Sequence, residues 1–241
     1  MKIISTWGMA VLSLMDAWRV WVYGRSSDNS VAVVLTRYYV KNSCRDRFLQ
    51  VLSGYVLHSL QTTGNIMTEA YYEKGDPCML WVFERWDNRA LYVKSRRSDM
   101  AKAVRALTKT ALVSHPETLF IQDTEPLSIE DFQYTTESND EPITIMLFVD
   151  VKAGTEDLFR SMNRAVKQAS LTAPDVLIFL LSQLCYHKTR FIIYKKVRNW
   201  EAFRHHLKDP TLEPVLQFLQ TSIKDPPFEK GYHYLIQFAP L

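Results

Sequence analysis

Two strand-to-helix junctions collect most of the side chains in this sequence that could do chemistry. The first runs from an apolar strand, Leu80-Trp81-Val82-Phe83, through Glu84-Arg85-Trp86-Asp87-Asn88 into a helix opening Arg89-Ala90-Leu91. The second runs from Phe191-Ile192-Ile193-Tyr194 through Lys195-Lys196-Val197-Arg198-Asn199 into Trp200-Glu201-Ala202-Phe203 and on to His205-His206. Arg85 and Arg198, at the strand ends, are of the type that binds an oxyanion. His206 has the side chain whose ordinary pKa suits proton transfer near neutrality, which makes it a candidate general base. Trp86 offers a ring either to a flat ligand or to the core. Asn88 and Asn199 read as helix N-caps. Tyr38, Tyr39, Tyr55 and His58 could line a cavity in the first half, at spacings that core packing also explains. The chain shows no Gly-rich phosphate loop, metal triad or nucleophile elbow. Cys44, Cys78 and Cys185 are widely separated with no CxxC, so neither a disulfide framework nor a zinc site is expected; a reducing, cytoplasmic setting fits them.

The elements that must hold these residues come in two sets. Ala90-Leu91 recurs as Ala202-Phe203 at a spacing of 112, and Val40-Lys41, Asp46 and Phe48 recur as Val151-Lys152, Asp157 and Phe159 at 111. A duplicated unit with a one-residue slip is expected, its period a whole domain. In the first copy, Val31 to Val40 reads as a strand. A helix follows, capped by Asn42 or Ser43 with Asp46 behind it, and Gly64 reads as its left-handed stop. Strands over Asn65–Glu73 and Cys78–Trp86 form a hairpin about Gly75-Asp76-Pro77. A helix from Asn88 breaks near Ser95 to Ser98 and resumes with Met100, Val104, Leu107 and Ala111 on one face, and Leu119 to Gln122 is a last short strand. The second copy repeats this order. It has strands over Ile143–Val151, Val176–Tyr186, Thr189–Val197 and Tyr232–Phe238, and Asp209-Pro210 opens an extra helical segment.

The strands Ile145-Met146-Leu147-Phe148-Val149 and Val176 to Leu181 are apolar without alternation, as expected of a sheet buried on both faces. Each sheet then needs two covers: its own helices and the other copy's sheet. Burying roughly 1,000 Å² of apolar strand face this way contributes roughly 25 kcal/mol before entropy.

With 241 residues, 47% apolar and 23% charged, the chain has the composition of a globular protein with a proper core. A net charge of +3 gives no nucleic-acid footprint. Gln122 to Glu141 carries seven acids and no Lys or Arg and reads as an inter-repeat linker. The division expected is an N-terminal extension over 1–30, a first domain over 31–122, a linker over 123–141 and a second domain over 142–241. Ile3 to Met15 is apolar but too short to span a bilayer. Trp7, Trp18 and Trp21 would suit a docked or interfacial helix, so membrane-surface association through them is a third functional reading.

Taken as Glu84-x-Trp86-x-Asn88-x-Ala90-Leu91 with its helix continuing to Lys94, and as Asn199-Trp200-Glu201-Ala202-Phe203 leading to His206-Leu207-x-Asp209-Pro210, the two junctions resemble the third-strand-to-second-helix signature of the antibiotic biosynthesis monooxygenase family. The resemblance covers about residues 31–122 and 142–240. It implies an α+β fold: two tandem ferredoxin-like (β-α-β-β-α-β) domains packed sheet-to-sheet as an intramolecular dimeric α+β barrel. The pseudo-dimer lies within one chain, and further homodimerisation is left open. It also implies an activity, the oxidation of a phenolic or anthrone-like aromatic secondary metabolite by molecular oxygen without flavin, haem or metal. The pocket would deprotonate the substrate, and the anion would pass an electron to oxygen before the radical pair recombines. On the family pattern His206, Trp86 and Lys94, the last at the matching place in the first copy, would carry the chemistry. Tyr38, Tyr55, His58, Arg85, Arg198 and Trp200 would surround the substrate. A haem-degrading relative pairs a strand Asn, a Trp and a helical His in one pocket; here Trp86 and His206 lie in different copies, which argues against haem. The alternative is a non-catalytic ligand-binding or scaffold protein on the same barrel, favoured by Lys94 in the histidine position and by the missing second tryptophan.

Overall fold

The computed structural model describes residues 30–240 except 128, 129, 133, 139 and 172. The stretch holding Trp7, Trp18 and Trp21, and the membrane-surface reading attached to it, lie outside the described residues. The elements are β1 (Ala32–Tyr39), α1 (Arg45–Leu60), β2 (Asn65–Glu73), β3 (Met79–Trp86), α2 (Arg89–Ser95), α3 (Asp99–Ala111), β4 (Glu117–Asp123), β5 (Ile143–Asp150), α4 (Glu156–Leu171), β6 (Val176–Leu184), β7 (Arg190–Val197), α5 (Trp200–His206), α6 (Glu213–Thr221) and β8 (Tyr232–Ala239). Each half therefore runs β-α-β-β-α-α-β, the second helix broken where the sequence suggests.

The strands close an antiparallel barrel in the order β1-β3-β2-β8-β5-β7-β6-β4. Within each half the order is that of a ferredoxin-like sheet. The halves join edge to edge along two seams, β2 with β8 (Tyr72 opposite Ile236) and β4 with β6 (Gln122 opposite Gln183). Closure leaves no sheet edge unpaired. It also supplies the second cover that the unalternating strands demand. Leu35, Tyr71 and Phe83 of one half meet Met146, Ile192 and Tyr194 of the other in a shared lumen, while the opposite faces pack on their own helices. Among the described residues no helix is long and apolar enough to cross a membrane.

The repeat has no slip. β1, α1, β2, β3 and α2 recur as β5, α4, β6, β7 and α5, each displaced by 111 residues. The same displacement carries the bulge between Asn65 and Met67 to that between Val176 and Ile178, and the bridge Val40–Leu112 to Val151–Ile223. Asn88 caps α2 by accepting from Leu91 N, and Asn199 caps α5 by accepting from Ala202 N. Leu91, not Ala90, is thus the partner of Ala202. Burial agrees, since Ala90 is exposed and Ala202 buried. The phase changes only near the end: Leu35 pairs with Leu119, but its counterpart Met146 pairs with His233, three residues further on. A 3-10 turn, Phe228–Gly231, precedes β8 there.

Two local expectations are corrected. Residues Asn42–Cys44 form a 3-10 turn, and α1 starts after Cys44 without a side-chain cap; Asp46 pairs with Arg45 instead. Gly64 does not end α1, which stops at Leu60. Its φ of +82° turns the chain into β2, and a Cβ there would lie 2.2 Å from Leu91 Cδ1. Gly64→Ala is expected to cost about 1–3 kcal/mol, measured by urea denaturation.

Candidate functional site: a cavity under the helices of the second half

β7 carries two consecutive lysines. Because side chains alternate across a strand, Lys195 points to the helix layer and Lys196 into the lumen, and both are buried. Their surroundings separate them. Lys196 Nζ donates to Glu69 Oε1 at 2.6 Å, Tyr134 Oη at 2.8 Å and Gln237 Oε1 at 3.0 Å, which holds it charged above the usual lysine range. Lys195 has no carboxylate within ion-pair distance among the described residues. Its Nζ contacts His206 Nε2 and lies 4.7 Å from the centroid of the Phe179 ring.

Burial pushes Lys195 down to about 7, against the weaker pull of the Asp209 charge. Burial first, and then the neighbouring Lys195 charge, pushes His206 down to about 4. Near neutrality the imidazole is therefore neutral, and the amine gains and loses its proton. Asp209 does not neutralise the pair; it caps the following turn, accepting from Thr211 N at 2.9 Å. The two nitrogens face a cavity of about 60 Å³ between the sheet and α4, α5 and α6, lined otherwise by carbon from Ile145, Phe179, Phe203 and Leu212. Asn163, also in the lining, donates its amide to Phe159 O at 2.9 Å within its own helix.

The 111-residue register accounts for one wall of the cavity, where Val166 lines it in the place of Tyr55. Tyr38, Tyr55 and Trp86 of the first half correspond to Val149, Val166 and Val197, so three rings are replaced by three valines. In the first half those rings gather about Glu84, which takes the place of Lys195. Tyr55 Oη donates to Glu84 Oε1 at 2.6 Å, and Trp86 Nε1 donates to the same oxygen at 3.3 Å. Arg96 lies beside them, its Nη1 donating to Tyr55 Oη at 3.3 Å. Burial raises the pKa of Glu84, and burial raises Tyr55 further still.

His206 closes α5 against Lys195. Its counterpart is Ser95, not Lys94; Lys94 corresponds to His205, and both are exposed. The match of Lys94 to His206 is thereby corrected, because the Asn caps fix the register. Tyr38, Tyr55 and Trp86 meet in the first half, and His58 is exposed on the outer side of α1. Arg85 sits in the lumen, its guanidinium spanning both oxygens of Asp123 and lying over Phe83 and Phe132. Arg198 holds Asp140 at 2.5 Å and Pro174 O at 2.8 Å. Trp200 is half exposed, with Lys74 Nζ 4.6 Å from its ring centroid. Both arginines are thus committed to carboxylates of the acidic stretch, which also packs Leu127, Phe132 and Tyr134 against the lumen. Lys195 is the residue the sequence reading missed. The signal was present, since a strand covered on both faces must bury both of two consecutive lysines.

Residues 31–107 match the family model for antibiotic biosynthesis monooxygenase. Among solved structures, the chain is similar to a monooxygenase candidate from Fusobacterium nucleatum, at a TM-score of 0.72 and 11% identity over 86% of this chain and 92% of that one. It is similar to another from Lactobacillus acidophilus, at 0.69 and 12% over 86% and 94%. An anthrone oxidase-like protein matches at 0.61 and 10% over 88% and 92%. At these identities the likeness is one of fold, and it spans both halves. No curated protein matches the chain.

Proposed function

We propose, from the premise that residues 31–107 are an antibiotic biosynthesis monooxygenase domain whose fold the second half repeats, that the chain is a cofactor-independent monooxygenase working in its second half on a phenolic or anthrone-like aromatic compound. The observation that carries this reading is the Lys195 amine beside His206, without a carboxylate partner among the described residues, in a largely carbon-lined cavity where Val166 stands in the place of Tyr55. The Lys195 amine takes the proton of the acidic hydroxyl, with His206 accepting a hydrogen bond from the resulting ammonium. The ammonium then steadies the phenolate, as a donor fixed in a dry site does. The phenolate reduces molecular oxygen by one electron, superoxide and the phenoxyl radical combine at a ring carbon that bears hydrogen, and the resulting peroxide takes back the proton held by Lys195. Loss of water yields the quinone, so that one oxygen atom enters the product and the other leaves as water. Access for a fused-ring substrate requires outward movement of the seven-residue α5, because about 60 Å³ is smaller than such a ring system.

The test is oxygen consumption by purified, metal-free protein given a hydroxyanthrone. Uptake above the uncatalysed rate is expected. It should be abolished in Val166→Tyr, which restores the first half's ring. No uptake above background across a panel of phenols and anthrones overturns the reading. Binding without uptake would instead assign the non-catalytic alternative, which the committed Arg85 and Arg198 favour.

A further inference from the structure

At the end of the barrel where β1 and β5 finish lies a separate cavity of about 370 Å³, within the range of small-molecule sites. Three rings meet at its wall: the Trp81 centroid is 5.1 Å from His233 and 5.8 Å from Phe148, and Phe148 is 5.3 Å from His233. Behind them Glu73 Oε1 accepts from Trp81 Nε1 at 2.8 Å and lies 2.9 Å from His233 Nδ1. His233 and Trp81 hold the Glu73 carboxyl below its ordinary range against the opposing effect of burial. An ionised Glu73 only accepts, so Nδ1 carries the hydrogen; Nε2 is without a protein partner among the described residues and is an acceptor in the neutral ring.

The pseudo-symmetry of the barrel separates this arrangement from ordinary seam packing. In the matching positions at the other seam, Leu184 replaces Glu73 and Leu119 replaces His233, so at those two positions that seam has carbon alone. A hydrogen-bonded acid–imidazole pair is therefore not needed to join the halves. The wall beside it is the inserted turn Phe228–Gly231, the one place among the described residues where the 111-residue phase shifts. At the rim Arg37 pairs with Glu117 at 2.6 Å and Arg190 with Asp150 at 3.0 Å, and with Lys230 and Asp225 also in the lining the cationic and anionic side chains balance, so the mouth carries no net charge to favour an ionic ligand.

We infer that this barrel mouth is a second ligand site, distinct from the Lys195 cavity, which takes a neutral planar aromatic compound and accepts the hydrogen of its hydroxyl at His233 Nε2. The probe is 2-naphthol, titrated against the full chain and followed by its own fluorescence, with its methyl ether as the comparison lacking the hydrogen. The wild type is expected to bind 2-naphthol more tightly than the ether. His233→Leu, which copies the other seam, is expected to weaken naphthol about tenfold, the worth of one hydrogen bond left unmade, and to erase the preference over the ether. Both compounds are expected still to bind in Val166→Tyr, where the other cavity is filled, and adding Leu184→Phe, which narrows the mouth without touching the Glu73–His233 pair, is expected to weaken both. Unaltered naphthol affinity in folded His233→Leu and on adding Leu184→Phe overturns the inference. Loss in Val166→Tyr alone also overturns it, by moving the binding to the other cavity.

Discussion

Lys195→Met is expected to abolish oxygen uptake and at the same time to make the protein more stable. The amine is buried, with no carboxylate partner, so the folded state resists its charge. Its folded pKa of about 7 lies below the ordinary lysine value. The unfolded chain therefore binds more protons than the folded one between about pH 7 and 10.5, and stability must rise with pH across that window. The wild type should gain about 2 kcal/mol between pH 7 and 9. His206 acts in the same direction lower down, because a histidine held near 4 withdraws stability as pH falls below its ordinary value. Methionine conserves volume and removes the penalty, so the variant should be more stable at pH 7 by about 2–4 kcal/mol and lose the rise toward pH 9. Urea denaturation at the two pH values measures both, and an oxygen electrode measures turnover. A variant that is less stable, with the pH slope intact, would mean that the lysine is charged and paired. A stable variant with full turnover would remove Lys195 from the chemistry while leaving its burial as described.

How much of this was legible in the sequence depends on how far apart the interacting residues lie. The barrel was legible because Ile145 to Val149 and Val176 to Leu181 lack alternation, and only a second layer could cover both faces. The N-caps at Asn88 and Asn199 were legible because capping is local, set by one side chain and the backbone three residues on. The cavity was not, because it shows only in a comparison between the halves, Tyr55 against the Val166 that lines it. A phase of 112 at the junction put Ala90 opposite Ala202 and Lys94 opposite His206, which hid the pairing of Ser95 with His206 and of Glu84 with Lys195. Arg85 and Arg198 looked available for an oxyanion because their counter-ions, Asp123 and Asp140, fall in a stretch read as a linker. Seven acids following two strand-end arginines were a hint of that pairing. Glu73 and His233 were beyond reach. They are 160 residues apart and meet only because β2 and β8 close a seam, a fact about barrel closure that no local pattern holds.

The neighbouring lysine should respond with the opposite sign. Lys196→Met is expected to destabilise the protein by about 3–5 kcal/mol, because it leaves the Glu69 carboxylate buried without its cation. Glu69 sits on β2 and Lys196 on β7, so their 2.6 Å pair spans the lumen from one half to the other. Tyr71 and Tyr194 join it there, their hydroxyls 2.7 Å apart, with Tyr194 Oη donating to Glu69 Oε2 at 2.8 Å. A deleted lysine removes one charge but leaves the acid and two phenols facing one another, and burial together with Glu69 already raises both phenols above their ordinary range. Removing both ions should therefore cost less than removing one. Lys196→Met combined with Glu69→Leu is expected to recover most of the loss, and a double-mutant cycle by urea denaturation gives the coupling directly. A coupling near zero would show that the lumen pair contributes nothing to holding the halves together. One strand thus presents two successive lysines whose deletion to the same residue should move stability in opposite directions. The difference is set by whether a carboxylate stands across from the ammonium: on the lumen side one does, and on the helix side an imidazole and an empty space stand there instead.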